Sequence, residues 1–140
     1  MEDVDLVCVI SNYNRGDYIG DCIDSIASQI TQYSFTVVII DDCSTDNSLA
    51  VVDECAKKFD DIQFSILKTS SNTGSGKKAI IQLSNELNKY FNAKFFMRID
   101  SDDYLLDCHK FEKQIDALRQ NPGCVACCHR YLMVDGRGLI

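Results

Sequence analysis

Short apolar runs recur along this chain, with helix-length amphipathic stretches between them, and that alternation constrains the fold more than any other feature. The runs are Leu6 to Ile10 (LVCVI), Phe35 to Ile40 (FTVVII), Ile62 to Leu67 and Phe95 to Ile99. Mostly unbroken runs of this length describe strands buried on both faces. Between the first two, Ile19, Cys22, Ile23, Ile26, Ala27 and Ile30 fall on one helical face, with Asp17 as the expected N-cap. Leu49, Val52, Cys55, Ala56 and Phe59 mark a second helix, and Ile80, Leu83, Leu87 and Tyr90 a third. A fourth, from about Lys110 to Arg119, carries Phe111, Ile115 and Leu118 and is stopped by Asn-Pro-Gly. A last apolar run, Cys124 to Val134, is expected to begin a further strand. The order β-α-β-α-β-α-β-α-β predicts an α/β fold: a doubly wound, mostly parallel, Rossmann-like sheet with helices on both faces, three layers α/β/α.

With 140 residues, one domain over 1–140 is the economical reading. The formal net charge is -7, and no basic cluster is long enough to track phosphates, which argues against a nucleic-acid surface. A single anionic small molecule stays open, because a metal or a few local donors can supply the positive field. No apolar stretch approaches the ~20 residues of a membrane span. Glu2, Asp3 and Asp5 give the N-terminus the wrong charge for a signal peptide. The expected location is cytoplasmic, or at the inner face of the membrane. Of the 8 cysteines, Cys8, Cys22, Cys43, Cys55 and Cys108 are expected as small reduced core residues. The cluster Cys124, Cys127, Cys128, His129 is the one zinc candidate. It lacks a second C-x-x-C or His pair, and as a strand it would point alternate side chains to opposite faces.

In parallel sheets of this type ligands bind beyond the carboxyl ends of the strands. The conspicuous polar residues lie there: Ser11-Asn12-Tyr13-Asn14 after the first strand, Asp41-Asp42 after the second, 72–78 after the third, and Asp100-Ser101-Asp102-Asp103 after the fourth. Carboxylates this close repel and raise one another's pKa unless something positive holds them. The Asp100-x-Asp102 pair suits Mg²⁺ or Mn²⁺, which keep waters and share phosphate oxygens; the competing reading is a solvated turn with capping aspartates. Asp42 can accept from a nucleobase imino N–H or a ribose hydroxyl, again against a turn-and-cap role in which Ser44, Thr45 or Asp46 caps. Tyr13 can stack on a base. The stretch SNTGSGKK is neither a Walker A nor a G-x-G-x-x-G sequence, yet Gly74 and Gly76 permit close backbone approach, and Lys77 or Lys78 can meet a phosphate. His109 and His129 have no catalytic partner at a recognisable spacing and read as surface and sheet-edge residues.

In order and spacing, LVCVISNYNRGDYIGDCIDSIASQ, VVIIDDCSTDNS, FMRIDSDDYLL, FEKQIDAL and NPG resemble the family 2 glycosyltransferases of GT-A fold. The resemblance implies a nucleotide-sugar-binding half with a divalent metal. It places Ser11 and Tyr13 at the base or ribose, Asp42 at the base, Asp100 near the ribose and metal, and Asp102 as the direct metal ligand. The implied reaction transfers a sugar, with inversion, from a UDP- or GDP-type nucleotide-diphospho-sugar to the hydroxyl of a saccharide or lipid-linked acceptor, as in polysaccharide biosynthesis. Two departures stand out: Ser11 replaces the proline common after the first strand, and the arginine-asparagine pair that commonly follows Asn72-x-Gly74 is missing, with Lys77 or Lys78 as substitutes. No residue matches the catalytic base, which relatives carry beyond the point corresponding to Ile140, so the chain is expected to be a truncated donor-binding half. Two alternatives remain at this stage. One is a catalytically silent nucleotide-binding or interaction module of the same fold. The other is a receiver-like Mg²⁺-dependent domain, against which stands the missing pair of phospho-acceptor Asp and later Lys.

Overall fold

A computed structural model describes residues 2–135 and 138–139. Its strands and helices follow the expected order: β1 (Glu2–Asn12), α1 (Ile19–Ala27), β2 (Phe35–Asp41), α2 (Ser48–Lys58), β3 (Phe64–Lys68), α3 (Gly76–Tyr90), β4 (Phe91–Asp100) and α4 (Lys110–Gln120). Strands β3-β2-β1-β4 form one sheet in that spatial order, and every pairing in it is parallel. The α/β expectation holds, layers included. Helices α1, α2 and α4 cover one face, burying Ile19, Ile23, Ile26, Val52, Phe111 and Ile115 against Leu6, Cys8, Ile10, Val37 and Ile39. Helix α3 covers the other, where Ala79 and Leu87 meet Val7, Val9, Val38 and Ile40. The central strands are thus apolar on both sides because both sides are covered.

The chain winds from β1 outward to β3, then returns across β1 to lay down β4 on the far side. The order in which strands are laid down therefore reverses between β1 and β4, and in parallel sheets such a reversal is where a ligand crevice forms beyond the carboxyl ends. Register places Ser11 opposite Asp100 there.

Three local expectations are corrected. Tyr18, not Asp17, is the N-cap of α1, without a side-chain cap bond; the Arg15 carbonyl instead accepts from the N–H groups of Tyr18 and Ile19, at 3.0 and 2.9 Å. Cys108 is exposed, while Cys8, Cys22 and Cys55 are buried as expected. The strand expected from Cys124 does not form. Residues 124–133 are irregular and exposed, and Val134–Asp135 pairs only with Gly138–Leu139, antiparallel and apart from the main sheet. A strand is stable only with an edge to pair on and a layer to bury against. Among the described residues this segment pairs with neither free edge of the sheet, β3 or β4, and lies exposed with no layer over it, so its apolar pattern stays unsatisfied. No helix among them is long and apolar enough to cross a membrane.

Helix α3 starts tightly against the crevice. A Cβ built on Gly76 would lie 2.8 Å from Ser11 Cβ and 2.9 Å from its Oγ, closer than real side chains tolerate. Gly76→Ala should therefore overpack this junction by about 1–3 kcal/mol, offset by up to ~1 kcal/mol of better helix propensity. A net loss of stability in urea denaturation is the expected result; a net gain would mean that α3 can back away from Ser11 at no cost.

Candidate functional site

The floor of the crevice is the paired ends of β1 and β4. The Ser101 N–H donates to the Ser11 carbonyl at 3.1 Å, and the Asp103 N–H donates to the Asp100 carbonyl at 3.0 Å, folding 100–103 into a turn. Ser11 Oγ donates to Asp100 Oδ1. Arg98, two residues upstream on the same face of β4, donates to that same oxygen and pairs with it; it also reaches Ser11 Oγ at 3.4 Å. Arg15, from the loop after β1, places Nε 2.9 Å from Asp102 Oδ2. The positive charge that lets these carboxylates coexist thus comes from two arginines, one for each member of the Asp-x-Asp.

Asp103 pairs with neither. Burial first, then Asp102 and Asp100, push its carboxyl above the ordinary value, against a smaller pull from Arg98. Beneath the turn, Cys22 Sγ lies 3.8 Å from the Asp100 carbonyl oxygen. Burial, then the charges of Asp103, Asp102 and Asp100, drive its pKa up to about 12, so the thiol stays neutral.

The second wall comes from the end of β2, where consecutive side chains point to opposite faces. Asp42 is 2% exposed. Its Oδ1 accepts from Thr69 Oγ1 (2.9 Å) and the Thr73 N–H (2.8 Å), and its Oδ2 from the Thr73 N–H (3.0 Å) and Thr73 Oγ1 (2.9 Å). Burial alone would raise this carboxyl. The donors on Thr73, Thr69 and Gly74 outweigh burial and hold it below the ordinary carboxylate value. The residue expected to read a base is therefore, in this structure, the anchor of the 69–74 loop.

Asp41 turns the other way, into a network centred on Asn12. Asn12 Nδ2 donates to Asp41 Oδ1 (2.9 Å), Ser44 Oγ (3.0 Å) and Ser48 Oγ (3.0 Å). The hydroxyls of Ser44 and Ser48 are themselves committed as donors to Asp41 and Asp46, which fixes the amide orientation. Asn12 Oδ1 is left buried without a partner among the described residues. Asp46 also accepts from the Gly16 and Ser48 N–H groups; the N-cap of α2 is Asn47, without a side-chain cap bond, and not Ser44, Thr45 or Asp46 as expected. Asn14 takes a positive φ of 50°, and its Oδ1 accepts from the Thr45 N–H at 2.7 Å. The loop after β1 is thus stitched to the loop after β2 at Asn12, Asn14 and Gly16.

The loop after β3 closes the third side. Gly74 has φ +73°, a conformation that costs glycine nothing, and its N–H donates to Asn72 Oδ1 at 2.7 Å. Lys77 and Lys78 are exposed on the first turn of α3 and join no ion pair among the described residues. Tyr13 is 47% exposed, on the stitched loop between Asn12 and Asn14. The structure brings Ser11, Asp100 and the start of α3 together, with Asp102 two residues further along the turn; among the described residues Tyr13, Lys77 and Lys78 make no hydrogen bond or ion pair with that turn.

No three His, Cys, Asp or Glu among the described residues are grouped to hold a metal; Asp100 and Asp102 are the pair that would hold a divalent cation. The donor set fits Mg²⁺ or Mn²⁺ of the kind completed by diphosphate and water. Each carboxylate keeps one oxygen, Oδ2 of Asp100 and Oδ1 of Asp102, that no described side chain engages. Cys124, Cys127, Cys128 and His129 are exposed on the irregular segment. Arg15 and Arg98 carry site geometry that no motif in the sequence assigned to them, and Asn12, one of the polar residues expected at the strand end, centres a network that its position alone did not indicate. Arg98 had a local signal, the two-residue offset from Asp100 on a strand. The partner of Arg15 lies 87 residues away, so nothing local announced it.

Comparison with known proteins agrees with this architecture. The pattern of the family described as Glycosyl transferase family 2 matches residues 7–139. The poly(ribitol-phosphate) beta-N-acetylglucosaminyltransferase TarS of Staphylococcus aureus is 35% identical over 98 residues, which are 69% of this chain and 16% of TarS. The chain therefore spans about a sixth of that relative's length. The crystal structure of S. aureus TarS 1–349 in complex with UDP-GlcNAc superposes with a TM-score of 0.65 at 23% identity, covering 84% of this chain and 32% of the other. The mannosyltransferase PcManGT from Pyrobaculum calidifontis, solved with GDP-Man and Mn²⁺, superposes with a TM-score of 0.69 at 18% identity, covering 84% and 33%. The two superpositions show the fold, and the pattern spans nearly every residue from the first strand onward: this chain belongs to glycosyl transferase family 2.

Proposed function

We propose that residues 1–140 form a single donor-binding unit of a metal-dependent, inverting glycosyltransferase. The unit takes a UDP- or GDP-type nucleotide-diphospho-sugar, and the sugar goes to the hydroxyl of a saccharide or lipid-linked acceptor. Family membership supports the reaction class. TarS, a poly(ribitol-phosphate) beta-N-acetylglucosaminyltransferase whose structure holds UDP-GlcNAc, supports a nucleotide sugar as donor. The observation that carries the reading is the paired end of β1 and β4, where Ser11 bonds Asp100 and where Asp100 and Asp102 each keep one unengaged oxygen.

In this reading Asp102 and Asp100 hold Mn²⁺ or Mg²⁺. A bound cation of this type supplies a Lewis acid for the charge that gathers on the departing diphosphate. Ser11 and Asp100 meet the ribose, and Tyr13 offers its exposed ring to the base. Asp42 shapes the base side by ordering the 69–74 loop, and a base N–H reaching its carboxylate takes over a contact now made by Thr73. Gly74, Lys77 and Lys78 line the phosphate side at the start of α3, whose N-terminus favours anions.

The test is a calorimetric titration of UDP, and separately GDP, with and without Mn²⁺. At least one nucleotide should bind measurably with Mn²⁺ and at least about tenfold more weakly without it. Nucleotide binding indifferent to the metal, or none at all, would sink the reading.

A further inference from the structure

The donor-site reading leaves Arg15 without a role, although it is the residue that holds Asp102. Resting on that reading, we infer that Arg15 is a positioning residue coupling metal binding to nucleotide binding. It neutralises Asp102 until Asp102 takes up the cation, and then turns to the anionic diphosphate.

The geometry separates a pinned backbone from a half-exposed side chain. The Arg15 carbonyl accepts from Tyr18 and Ile19 at the head of α1. On one side the Asn14 N–H donates to Ser44 Oγ at 3.0 Å, and on the other the Gly16 N–H donates to Asp46 Oδ2 at 2.8 Å. The side chain, 46% exposed, makes the Asp102 contact and a 3.3 Å bond from Nη1 to the Asn14 carbonyl. Arg98 differs: it lies on β4 and bonds both Asp100 and Ser11, so the strand holds it in place.

Charge gives the direction of the coupling. The turn's three carboxylates and the two arginines leave one net negative charge. A divalent cation reverses that to one net positive charge, and Arg15 loses its acceptor at Asp102. A guanidinium freed in this way is a planar, multi-donor anion ligand suited to phosphate oxygens. Nucleotide diphosphate supplies the anion that restores balance, so cation and nucleotide each favour the other, and linkage makes that favour reciprocal.

The experiment titrates Mn²⁺ into wild type, R15A and R15Q, following free Mn²⁺ by electron paramagnetic resonance, alone and with saturating UDP or GDP. Without nucleotide, both variants should bind Mn²⁺ about two- to fivefold more tightly than wild type, the range expected from removing an exposed ion pair that competes for Asp102. With nucleotide that advantage should vanish or reverse. Variants that bind Mn²⁺ alone no more tightly than wild type, while nucleotide still enhances binding in wild type, overturn the inference and leave the donor-site reading standing. Failure of wild type to bind Mn²⁺ with either nucleotide overturns both.

Discussion

Asp102→Asn should remove metal-dependent nucleotide binding, lowering UDP or GDP affinity in saturating Mn²⁺ by about a hundredfold or more, roughly 3 kcal/mol. Even a residue that only orients a metal ligand is worth about 10–100-fold when lost, and Asp102 is proposed as a ligand itself. The substitution keeps shape and an oxygen that can still accept from Arg15, but removes the charge a hard cation requires. Asp102 is half-exposed and its only described side-chain partner is Arg15, so the fold and the melting temperature should change little. Asp103→Asn is the matched control, since it removes one like charge from the same turn without touching the Asp-x-Asp. Calorimetry on the three proteins decides the matter. Metal-dependent binding that persists undiminished in Asp102→Asn would show that the cation, if used, is held elsewhere.

Asp42→Ala carries the second large effect, and it falls on stability. Thr69 Oγ1, the Thr73 N–H and Thr73 Oγ1 all donate to this one buried carboxylate. Leaving buried donors unsatisfied costs about 1–3 kcal/mol each; Thr73 is only partly buried and can recover water, so about 3 kcal/mol in total is expected. The effect should depend on pH with a defined sign. The carboxyl is held below its ordinary value in the folded chain, so its contribution is fully present above the unfolded value of about 3.9 and is lost as pH falls through the lower folded value. Urea denaturation of wild type and Asp42→Ala at pH 7 should show the full difference, and the difference should narrow as pH drops below about 4. Asp46 is also held low, by Ser48 and Gly16 against its own burial. Asp107 is held low too, by Lys113 and the His109 N–H, and Glu112 by Thr31 and Gln32, so wild type alone would mix several carboxyls, and only the difference between the proteins isolates Asp42. Equal stabilities at pH 7, or a gap that survives acid, would refute the anchoring role.

Strand and helix identity was readable from the sequence because it is set by local periodicity. Leu6 to Ile10 is apolar at every position and Phe35 to Ile40 at every position but Thr36, and that pattern is tolerated only where both faces of a strand are covered. The helical stripes, such as Ile19, Cys22, Ile23 and Ile26, exist because one side of each helix must meet that sheet. Strand ends were legible for the same reason: Ser11, Asp42 and Asp100 stand where apolar runs stop, and a parallel sheet collects those stops along one edge. Where local pattern and context disagreed, context won. The run from Cys124 looks like a strand, yet it pairs with neither free edge of the sheet and stays exposed among the described residues.

What only the tertiary structure decided is which charged and polar groups meet. Pairing β1 with β4 brought Ser11 beside Asp100, and folding the loop after β1 back over that edge placed Arg15 on Asp102. The same folding committed Asn12 to three partners and turned Asp42 into the 69–74 loop. Burial of apolar surface scales with area and repeats along the chain, so it leaves a period that can be read one residue at a time. Hydrogen bonds and ion pairs act over about 3 Å and in fixed directions, so their partners become known only once the strands are side by side.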